Sequence, residues 1–559
     1  MAYHHQTHAR TLTSTNSPLQ IAQVLSPPAG GGRIGITLCP GKWQARSVSG
    51  NWQRDMDTDL QAIRQWGAAA VVTLMPQGEL AACHAGHIGA ACEQQGMEWY
   101  HLPIQDVNVP TPEFETAWLY AGLRLREHLR QGRHVLVHCR GGLGRSGTIA
   151  ARLLAELGWE PRDAVQAVRA ARPGAIETLQ QEQHALQAVR HPDDETHTAR
   201  VLGCILGGAV GDAFGYAIEF DRWDRIRHTH GPEGLREPVP DRLGRLVVSD
   251  DTQMTLFTLE ALTLALPPQM PPPFTKNLLR PFQAACRQAY LHWGDTQGVN
   301  LPGGAPGSGP LAELCRSPAL RQQRAPGNTC LAAVRAGAPG TTENPVNQSK
   351  GCGAVMRTAP LGLIDTDPAC AQALGDAAGA LTHGHLDGWL PGGVLSAMVN
   401  RLLQGADLAS AAQHTLRQLA RHPHPDPASV QRSGTLHLAQ TALRLLQEKH
   451  SRYEVFTLLG EGWTGDEALA IGLYAAAAAA SFEDAVRLAA NHDGDSDSTA
   501  SIAGQLYGAQ HGITAVPHAW VRRLDVLPEA LRVLQRFLAA SQAGDLRAGD
   551  NSIFSPQET

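Results

Sequence analysis

At 559 residues the chain is too long for one ordinary hydrophobic core, and its length argues for roughly two to four domains. A formal charge of −6 leaves no basic footprint for nucleic acid or an anionic membrane. The ten cysteines contain no C-x-x-C pair, no N-terminal signal peptide is visible, and the most apolar window, 473–482, is far shorter than the ~20 residues of a membrane helix. These features read as a reduced, cytoplasmic protein.

Residues 1–20 are polar and predict a loose terminus, in which His4, His5 and His8 read as a solvated tail before they read as a metal site. Residues 33–41 predict a short strand and turn, 55–65 a polar helix and 70–74 a strand. Thr111-Pro112-Glu113 opens a helix, with Pro where the first-turn N–H would lack a partner. Phe114, Trp118, Ala121 and Leu125 then fall on one face, a core stripe.

The densest chemistry lies at 138–147, His-Cys-Arg-Gly-Gly-Leu-Gly-Arg-Ser-Gly, between an apolar strand at 134–137 and an alanine-rich helix at 148–157. A strand-to-helix loop of this kind aims several backbone N–H groups and the positive end of a helix at one point, which makes an anion seat. Arg140, Gly141, Gly142, Leu143 and Gly144 would form it. A cysteine in such a seat, here Cys139, has its thiolate favoured. Arg145 offers a planar fork of donors to a phosphate, and Ser146 a proton donor to the sulfur. Alternating strands and helices predict a compact α/β domain over 21–190, and the polar, charged, proline-opened stretch 191–198 a linker.

The spacing Cys-(five residues)-Arg-Ser resembles the signature of the protein tyrosine and dual-specificity phosphatases. The wording of 33–41 resembles the kinase-associated phosphatase branch, residues 101–110 resemble the acid loop, and 168–183 resemble the closing helices. The resemblance implies a central sheet flanked by helices, a phosphocysteine mechanism without a cofactor, and Asp106 as the acid that protonates the leaving oxygen.

From 199 onward strand signals nearly vanish and helical stripes replace them, such as Leu395, Met398, Val399 and Leu402, or Leu527, Leu531, Leu534 and Leu538. The proline- and glycine-rich passage 301–310 reads as a loop, 199–545 as an all-α domain without internal repeats, and 546–559 as a tail. Three acidic clusters stand out: Asp212 with Glu219; Ser249-Asp250-Asp251-Thr252; and 491–499, which holds Asp493, Asp495, Asp497 and Ser498. Carboxylates and hydroxyls without cysteine or repeated histidine spacing suit a hard cation, Mg²⁺ or Mn²⁺. Asp212 and Asp493 read equally as helix caps or as ligands.

With the glycine-rich run 207–213, the Ser-Lys-Gly-Cys-Gly-Ala-Val-Met-Arg-Thr-Ala-Pro run 349–360 and Leu381-Thr382-His383, these boxes resemble, in order, the ADP-ribosylglycohydrolases. The resemblance implies two Mg²⁺ or Mn²⁺ ions held by Ser249, Asp250, Asp251, Asp495, Asp497 and Ser498. It implies Glu219 as a mobile catalytic carboxylate, and an ADP-ribose site at Gly351, Cys352, Gly353 and Ala354 whose N–H groups hold the diphosphate. His383 reads as a packed histidine or as a contact to ribose or adenine. Ser249 and Ser498 stand where Thr is common, and Cys352 where Asn or Ser is common. The expectation is a bifunctional hydrolase acting on phosphorylated and ADP-ribosylated substrates, with no membrane and no strong nucleic-acid signal. The alternative is that one half is a recognition module controlling the other.

Overall fold

The computed structural model describes residues 11–26, 31–47, 50–267, 272–299, 308–337, 339–424, 426–448, 450 and 452–542. His4, His5 and His8, most of the 301–310 loop and the tail beyond 545 lie outside the described residues. Two compact units part between Glu195 and Thr196.

The first unit is built on a five-stranded sheet ordered Ala22–Leu25, Arg33–Thr37, His134–His138, Ala68–Thr73, Glu98–His101. The first strand is antiparallel and the other pairings are parallel. A parallel strand with neighbours on both sides is covered on both faces, and the central strand obeys: Val135, Leu136 and Val137 are fully buried. One layer of the core joins Leu136 and Val71 to Leu60, Ile63, Leu80 and Ile88. The helix Pro112–Arg130 is capped by Thr111 and buries Phe114, Trp118, Ala121 and Leu125. Thr37, Thr73, His101 and His138 end the four parallel strands. Ligands of open α/β sheets bind in the crevice outside such carboxyl ends, so the loops after these residues are where chemistry belongs.

The chain is tied down earlier than its composition predicts. Thr11–Leu12 pairs with Gly50–Gln53 in a second, three-stranded sheet, and the Asp55 N–H donates to the Ser14 hydroxyl. Backbone pairing needs no apolar side chains, which is why the polar reading of 1–20 fails from Thr11 onward. The expected linker also carries structure: Glu195 accepts from Arg126 and Arg130, both at 2.6 Å, and the next helix starts at Thr196.

The second unit is helical, with only isolated bridges among the described residues. Its centre is an antiparallel pair, Thr196–Tyr216 against Ser496–His511, in which Gly203, Gly207, Gly211 and Gly215 face Gly508, Gly504, Ala500 and Ser496. A Cβ at any of the four glycines would come within 2.1–2.7 Å of a carbonyl oxygen of the facing helix. Only residues without a Cβ allow so close an approach, and it joins the acidic clusters on the two helices. The helix Leu386–Leu403 buries Leu395, Met398, Val399 and Leu402 as expected, but it also buries Val394, Ser396, Ala397 and Asn400, so it is a central helix rather than a one-sided one. Pro310, expected at the end of a loop, opens the helix Pro310–Arg316.

Candidate active sites

Cys139 is buried where the central strand ends. The carbonyls that follow are pinned from outside: Arg140 O by the Cys39 N–H and Lys42 Nζ, Gly141 O by Arg172 Nη2, and Gly142 O by Arg172 Nε. In a trans peptide C=O and the next N–H point in opposite directions, so the amides of Gly141, Gly142 and Leu143 turn away from those donors and form a nest. Gly142 has φ +68, and a Cβ there would meet the Thr37 carbonyl at 2.4 Å. The following helix is Gly144–Glu156, four residues earlier than expected, which sets Arg145 and Ser146 in its first turn.

The Arg145 guanidinium is held on several sides. It donates to both Glu79 oxygens (2.7 and 3.1 Å) and to the Ile104 carbonyl (3.0 Å), and pairs with Asp106 at 2.9 Å. Asp106 sits on an exposed loop beside Val107, a β-branched residue at φ +58, a conformation such residues rarely adopt. Gln181 Nε2 fastens that loop through Asn108 O at 3.2 Å. Trp99 Nε1 donates to Thr73 Oγ1, which is also hydrogen-bonded to His138 Nε2 at 2.7 Å. Burial pushes His138 down to about 3, and the neutral ring fixes the strand end before Cys139. The Ser146 hydroxyl is buried with no partner among the described residues.

One expected phosphate donor is taken, because the Gly144 amide donates to Glu177 Oε2 at 2.8 Å. The Arg140 side chain reaches toward Gln44 and Glu79. Glu79, Gln181 and Lys42 were not singled out in the sequence, and Glu177 only as part of the 168–183 run; all four come from outside the loop and carry no spacing signal of their own.

In the second unit, two helix N-termini bring their first-turn carboxylates together, where the positive dipole ends favour them. Ser249 caps Asp250–Ala265 by accepting from the Asp251 N–H, and Asp495 caps Ser496–His511 by accepting from the Ser498 N–H. Asp212 braces the first of these, accepting from the amides of Ser249 (2.9 Å) and Thr252 (3.0 Å). Asp493 accepts from the Trp223 N–H at 2.7 Å. Both therefore accept amides at the starts of other helices.

Asp250, Asp251, Asp495, Asp497, Ser498 and Glu219 line a cavity of about 420 Å³. Burial, then mutual repulsion, pushes Glu219 up to about 9 and Asp251 and Asp497 well above the carboxylate range. Burial pushes Asp250 up to about 8. Asp251 Oδ2 and Glu219 Oε2 are buried and unpartnered among the described residues. Crowded buried carboxylates with orphaned oxygens are short of positive charge, and that deficit fits divalent cations. Among the described residues, however, no three His, Cys, Asp or Glu donors already close on one point; they ring the cavity.

The expected diphosphate loop is only partly free to bind. The Gly351 amide donates to Ser349 Oγ and the Cys352 amide to Trp463 O, both at 3.2 Å. Gly353 and Ala354 lie in the short 3-10 helix Cys352–Arg357. The Cys352 thiol donates instead to Asp495 Oδ2 at 2.7 Å. His383 is packed against Gly353 and lines the cavity, its Nδ1 bonded to Thr382; burial pushes it down to about 3. At the cavity mouth, exposed Phe220 stacks on Trp463, centroids 6.2 Å apart.

Comparisons with known proteins separate the same two halves. The family model for ADP-ribosylglycohydrolase matches residues 193–547, and that for the "Swiss Army Knife protein, DSP-PTPase phosphatase domain" matches 47–185. ADP-ribosyl-[dinitrogen reductase] glycohydrolase of Rhodospirillum rubrum is 25% identical over 342 residues, 59% of this chain and 92% of that protein. Cyclin-dependent kinase inhibitor 3 of Rattus norvegicus is 32% identical over 132 residues, 23% of this chain, and the match spans 61% of that protein's length. A crystal structure of kinase associated phosphatase, its catalytic-site cysteine replaced by serine, is 26% identical with a TM-score of 0.27, covering 30% of this chain and 93% of that one. Both families are hydrolases, and the ADP-ribosylglycohydrolases are in general metal-dependent. The chain belongs to the ADP-ribosylglycohydrolase family and carries, before that domain, a phosphatase domain of the dual-specificity type.

Proposed function

We propose that the chain is a bifunctional hydrolase, one domain cleaving phosphomonoesters and the other ADP-ribosyl bonds. One observation carries both halves: among the described residues, each site keeps buried polar oxygens without partners, Ser146 Oγ in the first and Asp251 Oδ2 and Glu219 Oε2 in the second. Native proteins rarely leave such groups unmatched except where something else binds.

In the first domain Cys139 thiolate attacks phosphorus while the bond to the leaving oxygen breaks, and Asp106 protonates that oxygen. The fork of Arg145 and the amides of Gly141, Gly142 and Leu143 hold the equatorial oxygens, and the phosphate displaces Asp106 from its pairing with Arg145. Water then hydrolyses the phosphocysteine as Ser146 donates to the departing sulfur. Glu79→Gln removes half of the clamp on Arg145. We expect kcat/KM for an aryl phosphate to fall by about 10²-fold with an unchanged circular-dichroism spectrum; an unaltered kcat/KM would show that Arg145 needs no such support.

In the second domain Ser249, Asp250, Asp251, Asp495, Asp497 and Ser498 would hold two Mg²⁺ or Mn²⁺ ions, which when bound supply Lewis-acid polarisation and orient ribose hydroxyls. Glu219 transfers the proton around an oxocarbenium-like transition state. The amides of Gly353 and Ala354 face the diphosphate, neutral His383 contacts the ribose, and the Phe220–Trp463 stack offers a face to the nucleobase. All ten cysteines are free thiols, which supports a cytoplasmic setting. A molecule carrying both groups, a phosphorylated ADP-ribose derivative, would explain the pairing of the domains. The test is inhibition of the full-length protein: vanadate should stop aryl phosphate hydrolysis alone, and a chelator should stop ADP-ribose release alone. A chelator that stops neither reaction would end the metal assignment.

A further inference from the structure

The metal cup contains one group that its oxygen chemistry does not use. Cys352 Sγ lies 2.7 Å from Asp495 Oδ2 and lines the same cavity as Asp250, Asp251 and Asp497. The ligands of a cation held by a carboxylate at about 2.0–2.2 Å lie within a few ångströms of that oxygen, and the sulfur already stands inside this span. Nor is it free to leave. Its own amide is fixed to Trp463 O, and Gly351 is bridged to Thr464, so the backbone carries the thiol to this point. An independent observation marks the place as a ligand site: Asp251 is only 2% exposed, lines the same cavity, and its Oδ2 has no partner among the described residues.

We propose that Cys352 is a sulfur ligand of the metal centre and tunes it toward a borderline-soft divalent ion, such as Zn²⁺, Co²⁺ or Cd²⁺, in preference to Mg²⁺. The proposal rests on the metal reading of the acidic cup and deepens it. On binding, the S–H bond breaks, a metal–sulfur bond forms, the proton passes to bulk water, and nothing is oxidised or reduced. The hydrogen bond from Sγ to Asp495 Oδ2 is lost, and both atoms share the ion in its place. Thiolate donors select such ions because hard Mg²⁺ prefers oxygen and water.

The full-length protein, stripped of metal, is titrated with Co²⁺ alone and followed by absorption and by bound-metal stoichiometry. The wild type should develop a near-ultraviolet sulfur-to-cobalt charge-transfer band that saturates with the bound ion. Cys352→Ser, nearly the same shape, should bind Co²⁺ through its oxygen donors without that band, and should weaken Cd²⁺ by more than about tenfold while leaving Mg²⁺ affinity unchanged. Binding of Co²⁺ with no charge-transfer band in the wild type, or a band that persists in Cys352→Ser, overturns the sulfur ligand while the oxygen site stands. Absence of Co²⁺ binding to either protein overturns both.

Discussion

Cys139→Ser abolishes hydrolysis of an aryl phosphate, by about 10⁵-fold or more in kcat, and leaves the release of ADP-ribose unchanged. The substitution alters one atom and keeps the loop, so the loss isolates the nucleophile. Around the sulfur stand the groups that would seat a phosphate: three amides turned inward by pinned carbonyls, the start of the helix Gly144–Glu156, and a guanidinium locked by Glu79 and Ile104 O. A thiol is intrinsically a far stronger acid and nucleophile than a serine hydroxyl. The nest itself survives, so Cys139→Ser should still bind inorganic phosphate near the wild-type affinity, measured by protection against thermal unfolding. Arg145→Lys should do the reverse, losing phosphate affinity because an ammonium cannot present two parallel donors. Full activity in Cys139→Ser would remove the phosphocysteine route.

The two sites differ in how much of each was legible from residue order alone. The phosphate nest is contiguous, so strand, loop, nucleophile and arginine could be read in ten letters; what supports it could not. Glu79, through both its oxygens, and Glu177 and Gln181, through single contacts to the Gly144 amide and the Asn108 carbonyl, reach the site from outside these ten residues, and a lone carboxylate or amide has no periodicity. In the helical unit the acidic boxes were visible as clusters, yet nothing in either box says that it faces the other. That information sits in Gly203, Gly207, Gly211 and Gly215 and in Ser496, Ala500, Gly504 and Gly508, two runs of small residues at intervals of four. Spacing of four puts each run on one helix face, but which helix it meets is decided by the whole packing. The two units part inside the polar stretch 191–198, but its solvated appearance gave no sign of the buried pairing of Glu195 with Arg126 and Arg130. Amides misled at Gly351 and Cys352, since whether an N–H is free depends on carbonyls and hydroxyls such as Trp463 O and Ser349 Oγ that only the fold brings up.

Replacing both Asp251 and Asp497 by Ala stops ADP-ribose release, by about 10³-fold or more, and spares the phosphatase reaction. Loss of activity alone would also follow from a misfolded domain, so the decisive measurement is thermal unfolding with and without divalent ion. A structural pair of carboxylates holds its surroundings together, and removing it lowers stability under all conditions. Here the carboxylates oppose one another: burial and the charges of Asp212, Asp250 and Asp495 disfavour ionised Asp251, and burial and the charges of Asp251, Asp495 and Glu219 disfavour ionised Asp497. In the metal-free protein, the double variant should therefore unfold at the wild-type temperature or above it. Saturating divalent ion should then raise the wild type by an amount equivalent to about 2.7 kcal/mol at a concentration 100 times Kd, and should leave the variant where it was. If the metal-free variant is instead several degrees less stable than the metal-free wild type, Asp251 and Asp497 act as scaffold, and the cavity between the two helix N-termini is not an ion site.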